Sequence, residues 1–304
     1  MTKTSSISHK YTIVICTRNR VKYLSKTIEQ LLTLINQSNE SKLLIVDNNS
    51  TDNTASYIKF ISDKNEKIDS INCTEVGLGN ARNAAISHCD TEWIVYLDDD
   101  ALVADDWLIQ LNRIASSYPF DAFGGLYTPW YAEGKKVWFY DEFETNVHMF
   151  PKDESEGILK TSYFSGGIAA YKLLPLKSVG GFPTDIGMSN NKISYGEEVH
   201  AQRNLAMAGY KLGFSKLWKM IHLTPLKKQS IVWSWKKQFA LGRDFWEIYN
   251  KKKDYENLKR YSIQKLHKLS PCEDFKKFRS CNACVYKMAS ISFVFGLFFG
   301  YIRK

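Results

Sequence analysis

Trp93-Ile94-Val95-Tyr96-Leu97-Asp98-Asp99-Asp100 decides how the rest of the chain reads. An apolar, β-branched and aromatic run of strand length stops abruptly at three carboxylates. Inside a strand, successive acids would repel one another and drive at least one charge into the core. At the carboxyl end of a strand in an open α/β sheet they face the crevice where ligands bind. Neighbouring aspartates there suit a hard divalent cation, Mg2+ or Mn2+, that also accepts phosphate oxygens. A solvated acidic turn is the alternative, and the flanking sequence weighs between the two.

Upstream, Tyr11 to Cys16 reads as a buried strand followed by the polar loop Thr17-Arg18-Asn19-Arg20. Leu24, Ile28, Leu31, Leu32 and Ile35 then fall at helical spacing. Leu43 to Val46 is a second buried strand, ending in Asp47-Asn48-Asn49-Ser50-Thr51-Asp52. Strand, helix, strand is the parallel-sheet unit. Ser50 or Thr51 can cap the next helix, which carries Ala55, Ile58 and Ile61. After a short strand near Ile71, Gly77-Leu78-Gly79-Asn80-Ala81-Arg82 opens an alanine-rich helix. The free N–H groups and dipole of that helix favour an anion, and Arg82 adds a charged fork. Beyond the acidic triplet, Asp105-Asp106 opens a helix with Leu108, Leu111 and Ile114 turned inward.

Downstream, Phe120 to Pro151 is rich in aromatics, with Trp130 and Trp138 the candidates for ligand contact; core packing accounts for most of the other rings. Ser165-Gly166-Gly167 lets a substrate approach the backbone, and Gly180-Gly181-Phe182-Pro183 is a turn. Gly196-Glu197-Glu198 begins a helix, where the acids either complement its dipole or act on a substrate. Tyr210 to Phe214 and Leu217 to Ile221 read as two short strands ending at His222.

At 304 residues, 44% hydrophobic and 24% charged, the chain falls in the soluble globular class. Its net charge of +9 is uneven: residues 1–209 hold 20 Lys/Arg against 26 Asp/Glu, and residues 210–304 hold 21 against 6. That asymmetry points the C-terminal third toward an acidic ligand or surface. Met1 to Lys10 is polar with no long apolar run behind it, so no secretory leader is expected. Six scattered cysteines suggest a reducing cytosol, and His267, Cys272, Cys281 and Cys284 match no trusted zinc-finger spacing.

Taken in order, Thr17, Val46-Asp47-Asn48-Asn49-Ser50-Thr51-Asp52, Gly79-Asn80-Ala81-Arg82-Asn83, Leu97-Asp98-Asp99-Asp100, Ser165-Gly166-Gly167, Gly180-Gly181-Phe182, Gly196-Glu197-Glu198 and His222 resemble the family 2 glycosyltransferases over roughly residues 10–225. The resemblance implies a GT-A fold, a nucleotide-binding α/β/α sandwich with a mostly parallel central sheet. Its nucleotide half would span 10–100 and its acceptor half 101–225, within a domain 1–225. It implies inverting, metal-dependent transfer of a hexosyl or related sugar from a nucleotide sugar, a UDP-sugar being the expected donor. The acceptor would be a glycan or lipid-linked hydroxyl in cell-surface polysaccharide synthesis. Carried over position by position, Thr17, Arg18, Asp47, Asn48, Gly79, Arg82, Asp98 and Asp99 would meet the nucleotide. Asp98, Asp100 and His222 would hold Mn2+ or Mg2+. Trp130, Trp138, Gly166 and Gly167 would meet the acceptor. The base would be Glu198 or Glu197; the family's usual second acid is Asp, and Glu198 is one methylene longer. A noncatalytic nucleotide- or glycan-binding relative acting as an assembly partner is the alternative.

Residues 226–304 are expected to form a basic, helical C-terminal region. Val232, Trp235, Phe239, Gly242 and Trp246 keep helical spacing, and Lys236, Lys237 and Arg243 mark a basic face. Lys227 and Lys228 can face a leaving diphosphate, and Lys251 to Lys253, Lys259-Arg260 and Lys276-Lys277 extend the charge. Met288 to Ile302 is apolar but short of a membrane span, which suits a helix at an anionic membrane interface, on the protein's own core or in a homo-oligomer. A cytoplasmic protein, peripheral at the inner face of the membrane, is expected. Nucleic acid is not, because the basic segment matches no recognition module.

Overall fold

The computed structural model describes residues 9–160, 162–189, 193–250 and 281–302. β1 (Tyr11–Thr17), β2 (Ser41–Asp47) and β4 (Trp93–Leu97) are apolar on both faces and almost wholly buried. Strands of this kind need a layer on each side. Tyr11, Ile13, Ile15, Leu43, Ile45, Trp93 and Val95 pack with α1 (Val21–Gln37), α2 (Thr54–Ser62) and α4 (Trp107–Ser117). The alternate residues Val14, Leu44, Val46, Ile94 and Tyr96 pack with α3 (Leu78–His88), α5 (Leu173–Ser178) and α6 (Glu197–Met207). The two-residue period of the strands thus divides one sheet between two cores, the α/β/α arrangement.

The sheet also holds β3 (Ile68–Asn72), β5 (Ala101–Val103), β6 (Ala122–Trp130), β7 (Glu156–Ile158), β8 (Ile168–Lys172) and β9 (Leu212–Leu223). The strand order is β3-β2-β1-β4-β8-β6-β9-β5, with β7 also on β9. Pairing is parallel across β3, β2, β1 and β4, where the strand–helix–strand pattern is plainest. Beyond β4 the sheet is mixed: β8 is antiparallel to both its neighbours, and β5 and β7 are antiparallel to β9. β6 and β9 run parallel, with a register shift between Gly125 and Leu126 that Asn146 closes by accepting from Tyr127 N (2.9 Å) and donating to Gly125 O (2.8 Å).

β9 is one strand of 12 residues rather than the two short strands that its sequence suggests. Ser50 and Thr51 do not cap α2; they bond instead to Asn19, which adopts φ 54° in the loop after β1.

The chain divides into two compact units, one of residues 1–130, 144–184 and 198–223, which holds the sheet, and one of residues 131–143, 185–197 and 224–304. In the second unit α7 (Ile231–Asn250) packs along α8 (Cys281–Ile302). A Cβ on Gly242 would strike Phe293 O and one on Gly296 would strike Phe239 O, so only glycine permits so close an approach of the two backbones. Trp235 O accepts from Ser292 Oγ at 2.9 Å across the pair. Among the described residues no helix is long and apolar enough to cross a membrane. Lys251 to Lys253, Lys259-Arg260, His267, Cys272 and Lys276-Lys277 lie outside the described residues.

Candidate active site

The acidic triplet forms the turn between β4 and β5. Asp98 N donates to Gly167 O (3.0 Å), just before β4's antiparallel neighbour β8, and Ala101 N donates back to Asp98 O (3.3 Å). The chain then enters β5, whose Ala101 stands opposite His222 on β9, while Leu223 N donates to Asp100 O (3.0 Å). Two strands far apart in sequence thereby set an imidazole beside the carboxylates. His222 Nε2 lies 3.2 Å from Asp100 Oδ1 and 3.6 Å from Asp98 Oδ2.

One ligand atom from each of Asp98, Asp100 and His222 falls within 4.8 Å of the others. Two carboxylates and an imidazole, with the Asp98 side chain 38% exposed and Asp100 only 2%, are a donor set that would suit a hard divalent cation such as Mn2+ or Mg2+.

Asp99 turns the other way. Its carboxylate accepts from Thr17 Oγ1 (2.7 Å), faces Arg20 Nε (3.3 Å), and its carbonyl accepts from Thr27 Oγ1 (3.0 Å). Burial pushes the Asp99 carboxyl up to about 7, against the pull of Arg20 and Thr17. Arg20 also donates through Nη2 to Asp100 Oδ2, so one guanidinium spans both acids. Burial works against the charge on Arg20, but these acids hold its pKa above the ordinary arginine value. Thr17 and Arg20 are thus tied to the acidic turn, and Arg18 is half-buried in the same loop.

Asp47 is paired across the sheet with Thr17 and accepts from Ser50 N at 3.1 Å. Asn48 is spent on architecture: Nδ2 donates to Cys73 O (3.2 Å) and Glu75 O (2.7 Å), and Oδ1 accepts from Gly77 N (2.8 Å). That set fixes the loop leading into α3. Gly77 itself has φ 149°, open to glycine, and a Cβ on Gly79 would strike Pro183 O. Gly79 therefore serves a close backbone approach within the protein.

Arg82 is 4% exposed, donates to Gly166 O (3.2 Å), and lies over the rings of Tyr96 (5.5 Å) and Phe182 (5.2 Å). Its guanidinium occupies the space of a Gly166 Cβ, with Nη2 2.7 Å from that position. The Asp98 carboxylate fills the Cβ position of Gly167 in the same way. The glycine pair makes room for two of the protein's own charged groups, bringing Arg82 and Asp98 to adjacent residues.

Trp130 ends β6, half-buried, with Lys26 Nζ 5.6 Å from its ring. Trp138 belongs to the second unit and packs edge-on against Phe139 (5.5 Å) and Phe143 (6.3 Å). Glu197 and Glu198 are the first residues of α6. Glu197 is 3% exposed and its carboxylate fills the Cβ position of Gly187 (φ 101°), whereas Glu198 is half-buried. Sequence reasoning passed over Arg20 and Asn146; a lone arginine in a polar loop and an asparagine in an aromatic segment carry no periodic signal.

A sheet of this topology with an Asp-x-Asp turn at the end of β4 defines a GT-A glycosyltransferase architecture. The chain belongs to glycosyl transferase family 2, whose profile matches residues 12–180. It is 24% identical over 151 residues to the glycosyltransferase GlyA of Streptococcus pneumoniae serotype 4, a match covering 47% of this chain and 21% of that protein. The chain thus spans about a fifth of that relative's length. It is 22% identical over 237 residues to the succinoglycan biosynthesis protein ExoM of Rhizobium meliloti, covering 76% of this chain and 72% of that one. The fold is similar to that of the mannosyltransferase PcManGT from Pyrobaculum calidifontis, solved with GDP-Man and Mn2+ (TM-score 0.64, 17% identity, 98% of this chain and 88% of that one).

Proposed function

We propose that the chain is an inverting glycosyltransferase that moves a sugar from a nucleoside-diphosphate sugar, a UDP-sugar, to a hydroxyl of a glycan or lipid-linked acceptor in cell-surface polysaccharide synthesis. The observation that carries this reading is the convergence of Asp98, Asp100 and His222 at the carboxyl end of β4. Those three residues would hold Mn2+ or Mg2+, which when bound neutralises the charge developing on the departing diphosphate. The relatives support the reading, ExoM by its named role in succinoglycan biosynthesis and PcManGT by the Mn2+ and nucleotide sugar in its structure.

The chain's own residues supply the rest. Asp47, at the end of β2, would meet the nucleoside, and Arg82, held by two rings beside Asp98, would contribute positive charge toward the diphosphate. Glu198, the less buried of the two acids, takes the proton of the acceptor hydroxyl as that oxygen attacks the anomeric carbon. The anomeric C–O bond to the diphosphate breaks in the same displacement, so a single attack inverts the centre with no protein nucleophile. Residues 1–225 would carry the reaction and 226–304 would bring it to its acceptor.

A location at an anionic membrane face agrees with the C-terminal helix. Ile291, Phe295, Phe298 and Ile302 follow helical spacing and are 44%, 63%, 59% and 60% exposed, opposite the face that packs on α7. Transfer is tested by incubating the chain with UDP-, GDP- and dTDP-sugars and Mn2+ and measuring free nucleoside diphosphate. Release with one donor, lost at least a hundredfold in Glu198→Gln, is expected. Nucleotide binding without release from any donor, acceptor glycans included, would favour a noncatalytic relative.

A further inference from the structure

The second unit contains a polar clamp that the reaction does not account for. Asp244 on α7 is 1% exposed and accepts from the backbone N of Tyr195 through Oδ2 at 2.9 Å. Beside it, Arg243 Nη2 donates to Ile193 O at 2.7 Å. The two side chains pair with each other, Nε to Oδ1 at 2.6 Å and Nη2 to Oδ2 at 3.0 Å. Gly196, at φ 108°, completes the arrangement: its missing side chain leaves room for Ile248, one turn further along α7.

Apart from the Arg243–Asp244 pair itself, these contacts fall on residues 193–196, and the next residues in the chain are Glu197 and Glu198. A buried ion pair contributes little net stability, because desolvation offsets the Coulomb gain. Its hydrogen bonds to a neighbouring backbone do fix one geometry. Here that geometry belongs to the segment that launches α6 with both acids in its first turn.

We infer that Asp244 and Arg243 are positioning residues: by clamping residues 193–196 they set the direction in which the Glu197-Glu198 pair enters α6. The C-terminal region then has a role in the reaction itself. α8 packs on α7 through Gly242 and Gly296, α7 holds the clamp, and the clamp holds the segment that leads into the acids. A general base loses rate steeply when displaced by about 1 Å, so a loosened clamp lowers turnover without touching the nucleotide.

This inference rests on the proposed glycosyl transfer, and the test separates the two. Asp244→Ala and Asp244→Asn are compared with wild type in amide hydrogen exchange and in transfer. Asparagine keeps an oxygen acceptor for Tyr195 N; alanine does not. Expected for Asp244→Ala is faster exchange confined to residues 193–198, at least a tenfold loss of kcat, and unchanged affinity for the Mn2+ complex of the nucleoside diphosphate that wild type releases. Asp244→Asn, which keeps the acceptor for Tyr195 N but loses the one facing Arg243 Nε, is expected to recover part of both the exchange protection and the rate. Unchanged exchange at 193–198 in Asp244→Ala overturns the clamp, as does a full kcat or an equal loss of nucleotide affinity. Were wild type to transfer no sugar, the proposed function would fail, and the exchange comparison would still decide whether the clamp holds the acids.

Discussion

His222 Nε2 lies 3.2 Å from Asp100 Oδ1, although 122 positions separate the two residues in the sequence. The antiparallel pairing of β5 with β9, Ala101 opposite His222, brings them together. A three-residue strand thus performs the decisive step in building the site: it turns the chain back after the acids and lays it against the strand that ends in the histidine.

Arg20 stands against the same acids as a resident cation. With Arg20→Gln the ion pairs to Asp99 and Asp100 are lost and the buried Asp99 carboxyl is driven further toward its neutral form, and the protein is expected to lose about 1–2 kcal/mol, less than a fully buried pair would cost because Arg20 is 37% exposed. Added Mn2+ should raise the melting temperature of the variant by more than it raises that of wild type. Thermal unfolding with and without Mn2+ checks both; an equal Mn2+ effect in the two proteins would mean that Arg20 does not share the carboxylates with a cation.

Gly167→Ala is expected to damage the site while sparing the fold. The new methyl takes the place of the Asp98 carboxylate, a partly exposed group that can swing away. Unfolding stability should change by less than about 1 kcal/mol, and Mn2+ affinity measured by calorimetry should fall about tenfold, roughly 1.4 kcal/mol.

A pH effect is expected away from the site, at β7. Burial works to raise the Glu156 carboxyl, but hydrogen bonds from Arg113, Ser215 and Tyr118 outweigh it and hold the group below the ordinary carboxylate range. A carboxyl with a depressed folded pKa stabilises the protein fully above its unfolded value and loses that contribution as pH falls through the folded one. Denaturant unfolding at pH 7 and pH 3 should therefore show a gap between wild type and Glu156→Gln of about 1 kcal/mol that narrows at the lower pH.

The exposed stripe on α8 predicts lipid binding. Wild type should co-sediment with phosphatidylserine-rich vesicles, weakly with neutral ones, and less as salt rises. Phe295→Glu with Phe298→Glu should abolish it. Equal binding to neutral and anionic vesicles would remove the electrostatic part of this account.

Much of this architecture was legible in the sequence because strands and helices buried on a full face announce themselves. The run Trp93 to Leu97, the buried strands β1 and β2, and the spacing of Leu24, Ile28 and Leu31 are periodic signals of that kind, and the three acids at a strand end mark a crevice. Ala101 to Val103 is too short to carry a period, and β9 read as two strands because Ser215 and Lys216 interrupt its apolar run at the register shift with β6. Asn48, Gly166 and Gly167 were readable as special positions but not by purpose. Whether a glycine admits a ligand or an internal Arg82 or Asp98 depends on the partner that the fold delivers. Glu197 and Glu198 looked alike in sequence, and burial separates them.

The measurement that tests the central claim most directly is a thermal-shift comparison of UDP, GDP, dTDP and CMP, each with and without Mn2+, on wild type and Asp100→Asn. The account predicts a rise in melting temperature with one nucleoside diphosphate, dependent on Mn2+ and lost in the variant. A rise of the same size without Mn2+, or one that survives in Asp100→Asn, would contradict the assignment of Asp98, Asp100 and His222 as the metal and donor site.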